Sequence, residues 1–174
     1  MTTALTDAEK RDRLREVMAG FSMAMLVTRT EDGGMRGRPL RIADKREDGA
    51  LYFATAVDSP KVHELQIDGH VAVVMQDRRH FVSLSGVARV VQDRALIEEL
   101  WSESWRVWFP AGKDDPSLCV VVVDPLEAAY WDVSGTRGIR YVFEMAKAYV
   151  TGKRPPSDSD ERHTAHVKLQ ADTP

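Results

Sequence analysis

A short segment near the middle of the chain combines residue types that bind an anion. Thr55 ends an apolar strand pattern, and Ser59, Pro60 and Lys61 follow it. Proline is suited to the first position of a helix, so this segment predicts a helix N-terminus, where backbone N–H groups and the helix dipole favour negative charge. Lys61 adds a positive charge, which indicates a phosphate site. An ordinary helix start with a solvated lysine explains the same local residues and, taken alone, explains them better.

Three arginines form a second candidate group within one predicted strand. Strand alternation places Arg36 and Arg38 on one face and Arg41 on the other. Pro39 removes a ladder donor and therefore predicts an edge or a bulge, at which Arg38 can reach a bound anionic or carbonyl group. A row of solvated arginines is the alternative, and the two interpretations stay open at this point.

Other catalytic and metal-binding patterns are not found in the sequence. The only cysteine, Cys119, lies in an apolar run and is interpreted as buried filler. No Gly-x-Gly-x-x-Gly follows a predicted strand, and no nucleophile elbow is present, so a dinucleotide domain and a hydrolase are not expected. We expect no metal centre, because the histidines have no metal-ligand spacing. They are His63, His70 and His80 in separate elements, and His163 and His166 near the C-terminus.

Length and charge narrow the classes of partner. The 174 residues fit one domain, and 24 basic against 27 acidic side chains give a formal net charge of −3. This balance argues against nucleic-acid binding, although a barrel using scattered arginines remains a weaker alternative. The chain has no apolar run of membrane-spanning length and no signal-peptide pattern at its start, so we expect a cytoplasmic protein that does not bind membranes.

Helix signals mark three segments. The first opens with a capping box formed by Thr6 and Glu9. The others follow Ser59 and Asp93, two residue types that cap helices. The predicted helices are Thr6 to Gly20, Ser59 to Gly69 with apolar positions Val62, Leu65 and Ile67, and Arg94 to Trp105; Tyr141 to Val150 fits a helix or a strand.

Strand patterns make up most of the remaining chain. Hairpin signals such as Glu31-Asp32-Gly33-Gly34 separate several of them, and Asp124-Pro125 predicts a bend or bulge between the last two. The predicted strands are Met23–Arg29, Met35–Ala43, Leu51–Thr55, Val71–Gln76, Phe81–Val91, Leu118–Val123 and Ala128–Asp132. This predicts a mainly β fold, an antiparallel barrel with peripheral helices over residues 1–152, followed by a polar C-terminal tail or arm at 153–174.

Several short motifs occur in an order that resembles the FMN-binding split-barrel family. They are Arg38-Pro39-Leu40, Phe53-Ala54-Thr55, Asp58-Ser59-Pro60-Lys61-Val62, Trp108-Phe109-Pro110 and Glu127-Ala128-Ala129-Tyr130-Trp131-Asp132. The chain is similar to the general stress protein branch of the pyridoxamine 5′-phosphate oxidase-like proteins. The resemblance spans Asp7 to Gly152.

The resemblance implies a homodimeric split β-barrel with flavin mononucleotide (FMN) in a groove between the subunits. It places the cofactor-binding residues in three groups. Arg38, Pro39 and Leu40 border the isoalloxazine ring, Phe53, Ala54 and Thr55 line the ring and ribityl side, and Ser59 and Lys61 bind the phosphate. Trp108 and Phe109 match an aromatic loop that approaches the flavin from the partner subunit. Trp131 and Asp132 are assigned to packing.

Two functions follow from the resemblance, and the sequence does not decide between them. One is an FMN-dependent oxidoreductase that accepts electrons from a donor such as NADH or NADPH, with Arg38 stabilising charge on the reduced flavin. The other is a flavin-binding stress or sensing protein with little turnover. Deazaflavin binding is a third interpretation, and oxidation of a phosphorylated vitamin is disfavoured because no second phosphate site is evident. No catalytic residue is assigned.

Overall fold

The computed structural model describes residues 6–132 and 164–169, and β-strands dominate this part of the chain. The strands are β1 (Met23–Arg29), β2 (Met35–Arg41), β3 (Asp44–Lys45), β4 (Leu51–Ala56), β5 (His70–Gln76), β6 (His80–Val91), β7 (Leu118–Asp132) and β8 (Thr164–Lys168). The α-helices are α1 (Asp7–Ala19), α2 (Pro60–Ile67) and α3 (Arg94–Leu100), with 3₁₀ helices at Glu103–Val107 and Gly112–Asp114. The mainly β class with peripheral helices is confirmed.

The sheet curls because its two ends are joined by a very short connection. Its strands are antiparallel and run in the order β2-β1-β5-β6-β7-β4-β3, with β8 paired to β7. Strands β2 and β3 therefore form opposite ends, yet only Ile42 and Ala43 separate them. The Ile42 N–H donates to Ser22 beside β1, whereas the Ala43 N–H donates to Tyr52 of β4. Three Cα steps span at most about 11 Å, so the two edges must lie close together.

Local residues mark where the first two helices begin. Thr6 and Glu9 form the expected capping box on α1, and Gly20 ends that helix. Ser59 occupies the N-cap of α2 and Pro60 its first position, as predicted, while Asp68 is the C-cap. The local residues thus specify both helices.

The third helix is shorter than the prediction of Arg94–Trp105. It ends at Leu100, because Trp101 has an extended backbone with φ −53° and ψ 132°. The chain then forms the 3₁₀ helix Glu103–Val107, which places Trp105 edge-on to Trp101 with ring centroids 5.8 Å apart. Packing of Trp105 in a buried apolar cluster outweighs the helix propensity of the segment.

The segments Leu118–Val123 and Ala128–Asp132, predicted as two strands, form a single strand, so the predicted number of strands was wrong. β7 runs without a break through Asp124 and Pro125 and pairs with β6 from Val120 to Asp132. Ser85 pairs with Glu127 and Gly86 with Pro125, which leaves Leu126 as the extra residue of a β-bulge. The sequence therefore located an irregularity correctly, but the bulge accommodates the proline without ending the strand.

The C-terminal segment contributes a strand to the sheet. Residues Thr164–Lys168 pair antiparallel with Glu127–Trp131 of β7, and Val167 is buried in the interior. The polar tail expected over 153–174 thus includes residues that belong to the core. The segment Tyr141 to Val150, expected as helix or strand, lies outside the described residues.

Two apolar clusters flank β7 and β4. Leu51, Phe53, Val121 and Val123 face the interior of the curled sheet. Alternate residues face an outer cluster, which α3 and the 3₁₀ helix cover; its buried members are Ile97, Trp105, Phe109, Leu118, Val120 and Val122. Burial on both faces explains the uninterrupted apolar run from Leu118 to Val123, because neither face needs polar residues.

Helices α1 and α2 cover different parts of the curled sheet. α1 packs against β6, β7 and β8, whereas α2 packs against β1 and β6. In the described ranges, no helix has the length and apolar character needed to cross a membrane.

The bulge leaves no room for a side chain at Gly86. A Cβ there would lie 2.5 Å from the Asp124 carbonyl oxygen and 3.1 Å from the Pro125 Cα, both backbone atoms of the paired strand. We expect Gly86→Ala to lower the free energy of unfolding by about 1–3 kcal/mol, measured by urea denaturation. Gly20→Ala is the matched control, because its φ is −71° and its nearest contact is 3.6 Å away. Equal stability of the two variants would contradict the close approach.

Candidate functional site

The end of β4 and the start of α2 bring three of the predicted site residues together. The Lys61 ammonium donates to the Thr55 hydroxyl at 2.9 Å, which ties the first turn of α2 to β4. Behind this contact, the Cys119 thiol donates to the Thr55 carbonyl oxygen at 3.3 Å. The chain therefore holds Thr55 and Lys61 in a fixed arrangement beside the N-cap residue Ser59.

The electrostatic environment of Lys61 shows that a second cation is near. Burial lowers the pKa of Lys61, and the positive charge of Arg38 lowers it further. Arg38 lies on β2, and its hydrogen bond to Glu64 brings its charge beside α2. The negative charges of Glu64 and Asp58 act on Lys61 in the opposite direction but do not outweigh burial and Arg38, so an additional anion would be favoured beside Lys61.

The Ser59 hydroxyl is a buried group without a hydrogen-bond partner among the described residues. It does not cap α2, although Ser59 has the extended backbone of an N-cap, with φ −72° and ψ 146°. A buried hydroxyl without a partner costs free energy, which a ligand oxygen placed there would recover. With Lys61 in the same turn, the donors suit a phosphate.

A buried carboxylate organises the arginine side of the site. The Glu64 side chain accepts from Arg36 Nη1 at 2.7 Å on Oε1, and from Arg38 Nη2 and Thr28 Oγ1 at 2.6 Å each on Oε2. Arg38 Nη1 also donates to the Thr28 hydroxyl. The cluster links β1, β2 and α2, and it confirms that Arg36 and Arg38 share one face.

Glu64 remains charged at this buried position. Burial alone would raise the pKa of Glu64, but hydrogen bonds from Thr28 and Arg38 and the charges of Arg38 and Arg36 lower it below its ordinary value. The site thus contains a paired carboxylate rather than a neutral acid. Arg38 is held by this carboxylate on one edge, and its side chain keeps 16% of its surface exposed.

Sequence reasoning missed Glu64 and Thr28. The helix pattern assigned Val62, Leu65 and Ile67 to the buried face of α2, but Ile67 is 55% exposed while Glu64 is only 5% exposed. The available signal was a glutamate between two buried apolar positions, one turn after Lys61, together with two arginines on one strand face. Charge pairing between distant elements is what made the buried position suitable for Glu64.

The remaining predicted residues occupy different surroundings. Leu40 packs against the interior cluster and Phe53 is fully buried in it, whereas Ala54 faces the outer cluster. Pro39 is exposed on the edge strand β2, so the predicted edge position is confirmed. The structure therefore holds Thr55, Ser59 and Lys61 together where β4 leads into α2, with the charge of Arg38 acting on Lys61, and it places the other predicted residues elsewhere.

The aromatic loop does not join this group within one chain. Phe109 is 5% exposed and packs in the outer cluster, whereas Trp108 is 78% exposed. The indole of Trp108 projects from a turn that is fixed by its neighbours, because the Trp108 N–H donates to the Trp105 carbonyl oxygen at 2.8 Å. Adjacent residues of the same motif thus have opposite environments.

An antiparallel sheet curled by a short link between its ends, with helices over it and a basic site at one opening, is a split β-barrel. Comparison with known sequences agrees with this class. Residues 9–156 match the family model described as pyridoxamine 5′-phosphate oxidase like. The chain belongs to the pyridoxamine 5′-phosphate oxidase-like family.

Individual relatives connect the chain to stress proteins. Protein bli-3 of Neurospora crassa is 26% identical over 175 residues, covering 94% of this chain and 83% of that protein. General stress protein 26 of Bacillus subtilis is 28% identical over 80 residues, covering 43% of this chain and 56% of that protein. The general stress FMN/FAD binding protein of Xanthomonas citri has a similar structure, with a TM-score of 0.64, 24% identity and coverage of 74% of this chain and 92% of that one.

The environment of Cys119 predicts an unreactive thiol. Burial raises the pKa of Cys119 to about 11, although the charge of Lys61 acts in the opposite direction. Because the thiolate is the nucleophile, we expect the native protein at pH 8 to react with a thiol reagent at least about a hundredfold more slowly than an exposed cysteine. The check is a time course with Ellman's reagent. The guanidinium-unfolded protein is the control and should react at once, while rapid labelling of the native protein would contradict the burial.

Proposed function

We propose that this protein binds FMN, with the phosphate held by the Ser59 hydroxyl and the Lys61 ammonium at the start of α2. The observation that carries the proposal is the buried Ser59 hydroxyl, which has no partner among the described residues and lies two residues before the cation Lys61. The flavin binding named for the Xanthomonas citri relative supports it. The phosphate provides both the charge and the oxygen acceptors that these donors suit.

The ring side of the proposed site is formed by β2 and β4. Arg38, Pro39 and Leu40 border the isoalloxazine, and Thr55 lies between them and the phosphate. Phe53 is fully buried in the interior cluster, so the segment from Phe53 to Thr55 contributes backbone groups and the small side chain of Ala54 more than an aromatic face. This places polar backbone atoms near the flavin.

A second copy of the chain completes the proposed site. Trp108 and its neighbour Val107 are 78% and 79% exposed, which is an unusual position for two apolar side chains next to a buried Phe109. An aromatic side chain anchored in this way is typical of protein interfaces. In the proposed homodimer, the partner subunit's Trp108 covers the flavin bound to the first subunit.

The proposed chemistry is electron transfer through the bound flavin. FMN supplies the redox chemistry when bound, and the protein positions it and adjusts its electronics. The described part of the site offers cations and hydroxyls, and its buried carboxylate, Glu64, is paired with two arginines. This arrangement suits stabilisation of negative charge by Arg38 better than acid–base catalysis. The proposed activity is that of an FMN-dependent oxidoreductase with NADH or NADPH as donor.

Substitution of Lys61 tests the phosphate site. We expect Lys61→Ala to weaken FMN binding by about ten- to a hundredfold, because a charge-assisted hydrogen bond contributes about 1.5–3 kcal/mol. Fluorescence titration of FMN measures this change. Lys113→Ala is the matched control, since Lys113 pairs with Glu98 on the surface. Failure of the unaltered protein to bind FMN would refute the proposal.

Phe109 is buried and Trp108 is exposed, so we expect truncation of the two side chains to have different effects. We expect Phe109→Ala to destabilise the fold by about 3–5 kcal/mol through loss of core packing. Trp108→Ala should lower the unfolding midpoint much less than Phe109→Ala does, but weaken both FMN binding and dimerisation. Denaturation, fluorescence titration and sedimentation velocity measure the three properties. A Trp108→Ala variant with unaltered FMN affinity and dimer fraction would contradict the intersubunit role.

Turnover separates the oxidoreductase from a flavin-binding stress protein. We expect the FMN-loaded protein to oxidise NADH or NADPH faster than an equal concentration of free FMN. The measurement is the decrease in absorbance of the reduced nucleotide under air, with the Lys61→Ala variant as a control for released flavin. A rate equal to that of free FMN would favour the stress or sensing function and leave FMN binding intact.

A further inference from the structure

We propose that Glu64 is a positioning residue that orients the Arg38 guanidinium toward the bound flavin. This inference rests on the proposed FMN site, and it assigns a binding role to a residue that carries the wrong charge for an anion site. Glu64 itself is not proposed to touch the cofactor. It acts through Arg38, and the contacts between the two side chains carry the argument.

The contacts fix one edge of the guanidinium. Arg38 Nη2 donates to Glu64 Oε2 at 2.6 Å, and Arg38 Nη1 donates to the Thr28 hydroxyl. The Thr28 hydroxyl in turn donates to the same Glu64 oxygen at 2.6 Å. The three groups form a closed ring of hydrogen bonds, so Arg38 cannot rotate without breaking two of them.

The remaining donors of Arg38 then have a defined direction. A guanidinium carries five N–H groups in one plane, and the ring of hydrogen bonds with Glu64 and Thr28 uses one N–H from each terminal nitrogen. The other donors lie outside this ring. The hydrogen bonds to Glu64 of α2 and Thr28 of β1 hold the guanidinium beside the helix that carries Lys61, and the charge of Arg38 lowers the pKa of that lysine.

Glu64 is a buried anchor rather than a surface partner. Its side chain is 6% exposed, and α2 holds it one turn after Lys61. The second oxygen is held by Arg36 at 2.7 Å. Both carboxylate oxygens are therefore engaged by groups from β1 and β2, which limits the rotation of Glu64.

Charge and orientation predict opposite effects of removing the carboxylate. Glu64→Gln leaves Arg36, Arg38 and Lys61 without their buried anion, so electrostatic attraction alone would tighten the binding of an anionic ligand. Glutamine also presents an NH₂ group, which cannot accept from an arginine. If orientation of Arg38 matters, the variant binds FMN more weakly in spite of its additional positive charge.

The experiment is a fluorescence titration of FMN and of riboflavin with variants of the full chain. We expect Glu64→Gln to weaken FMN binding about tenfold, as expected for loss of a charged hydrogen-bond partner, and to shift the visible flavin spectrum. Riboflavin should lose the same factor, because Arg38 borders the ring. Glu31→Gln is the matched control, since exposed Glu31 lines the same cleft as Glu64 and carries the same charge.

A double-mutant cycle distinguishes positioning from general structural damage. If Glu64 acts through Arg38, the variant that combines Glu64→Gln with Arg38→Ala binds FMN as weakly as Arg38→Ala alone. Additive losses would overturn the inference. So would a Glu64→Gln variant that binds FMN as tightly as the unaltered protein with an unchanged spectrum.

A second substitution keeps the test independent of folding. Thr28→Val removes the hydroxyl that links Arg38 to Glu64 without changing any charge, and circular dichroism checks the fold of every variant. We expect Thr28→Val to weaken FMN and riboflavin binding equally; unchanged binding would overturn the inference. Failure of the FMN site itself gives a different result, in which the unaltered protein does not bind FMN or Lys61→Ala has no effect.

Discussion

The two-residue link between β2 and β3 is the constraint on which the architecture depends. Ile42 completes the pairing of β2 with β1, and Ala43 pairs beside β4 at the other end of the sheet. A flat sheet with these two strands at opposite ends would require a connection several times longer. Curling satisfies the link, encloses the interior cluster, and brings β2 to the opening where α2 begins. The site exists because the sheet curls.

In the curled sheet, the charged groups around Glu64 compensate one another. Glu64 is buried on α2, and burial of an unpaired carboxylate would be costly. Arg36, Arg38 and Thr28 offset this cost from two neighbouring strands. The same pairing secures α2 over the opening and places its first turn, with Ser59 and Lys61, beside Thr55. The interactions that anchor α2 therefore also organise the site.

The sequence predicted those features that depend on local residues. The capping box at Thr6, the proline start of α2 and the strand alternation of Arg36 and Arg38 were confirmed, since each follows from backbone geometry over a few residues. Features that depend on distant partners were missed. α3 ends early because Trp105 packs in the outer cluster, β7 continues because a bulge absorbs Pro125, and Glu64 is buried because two arginines approach it from β2. The pairing of Thr164–Lys168 with β7 also joins segments far apart in sequence.

The edge position of β2 has a consequence for the solubility of the protein. An unpaired strand edge is a template for pairing with another chain, and proteins protect such edges with charged residues, proline or very short strands. β2 carries Arg36, Arg38, Pro39 and Arg41, and the opposite edge, β3, has only two residues. The residues that border the candidate site therefore also resist edge-to-edge aggregation. Among the described strands, a substitution at β2 that changes contacts with a ligand would also change the protection of this edge.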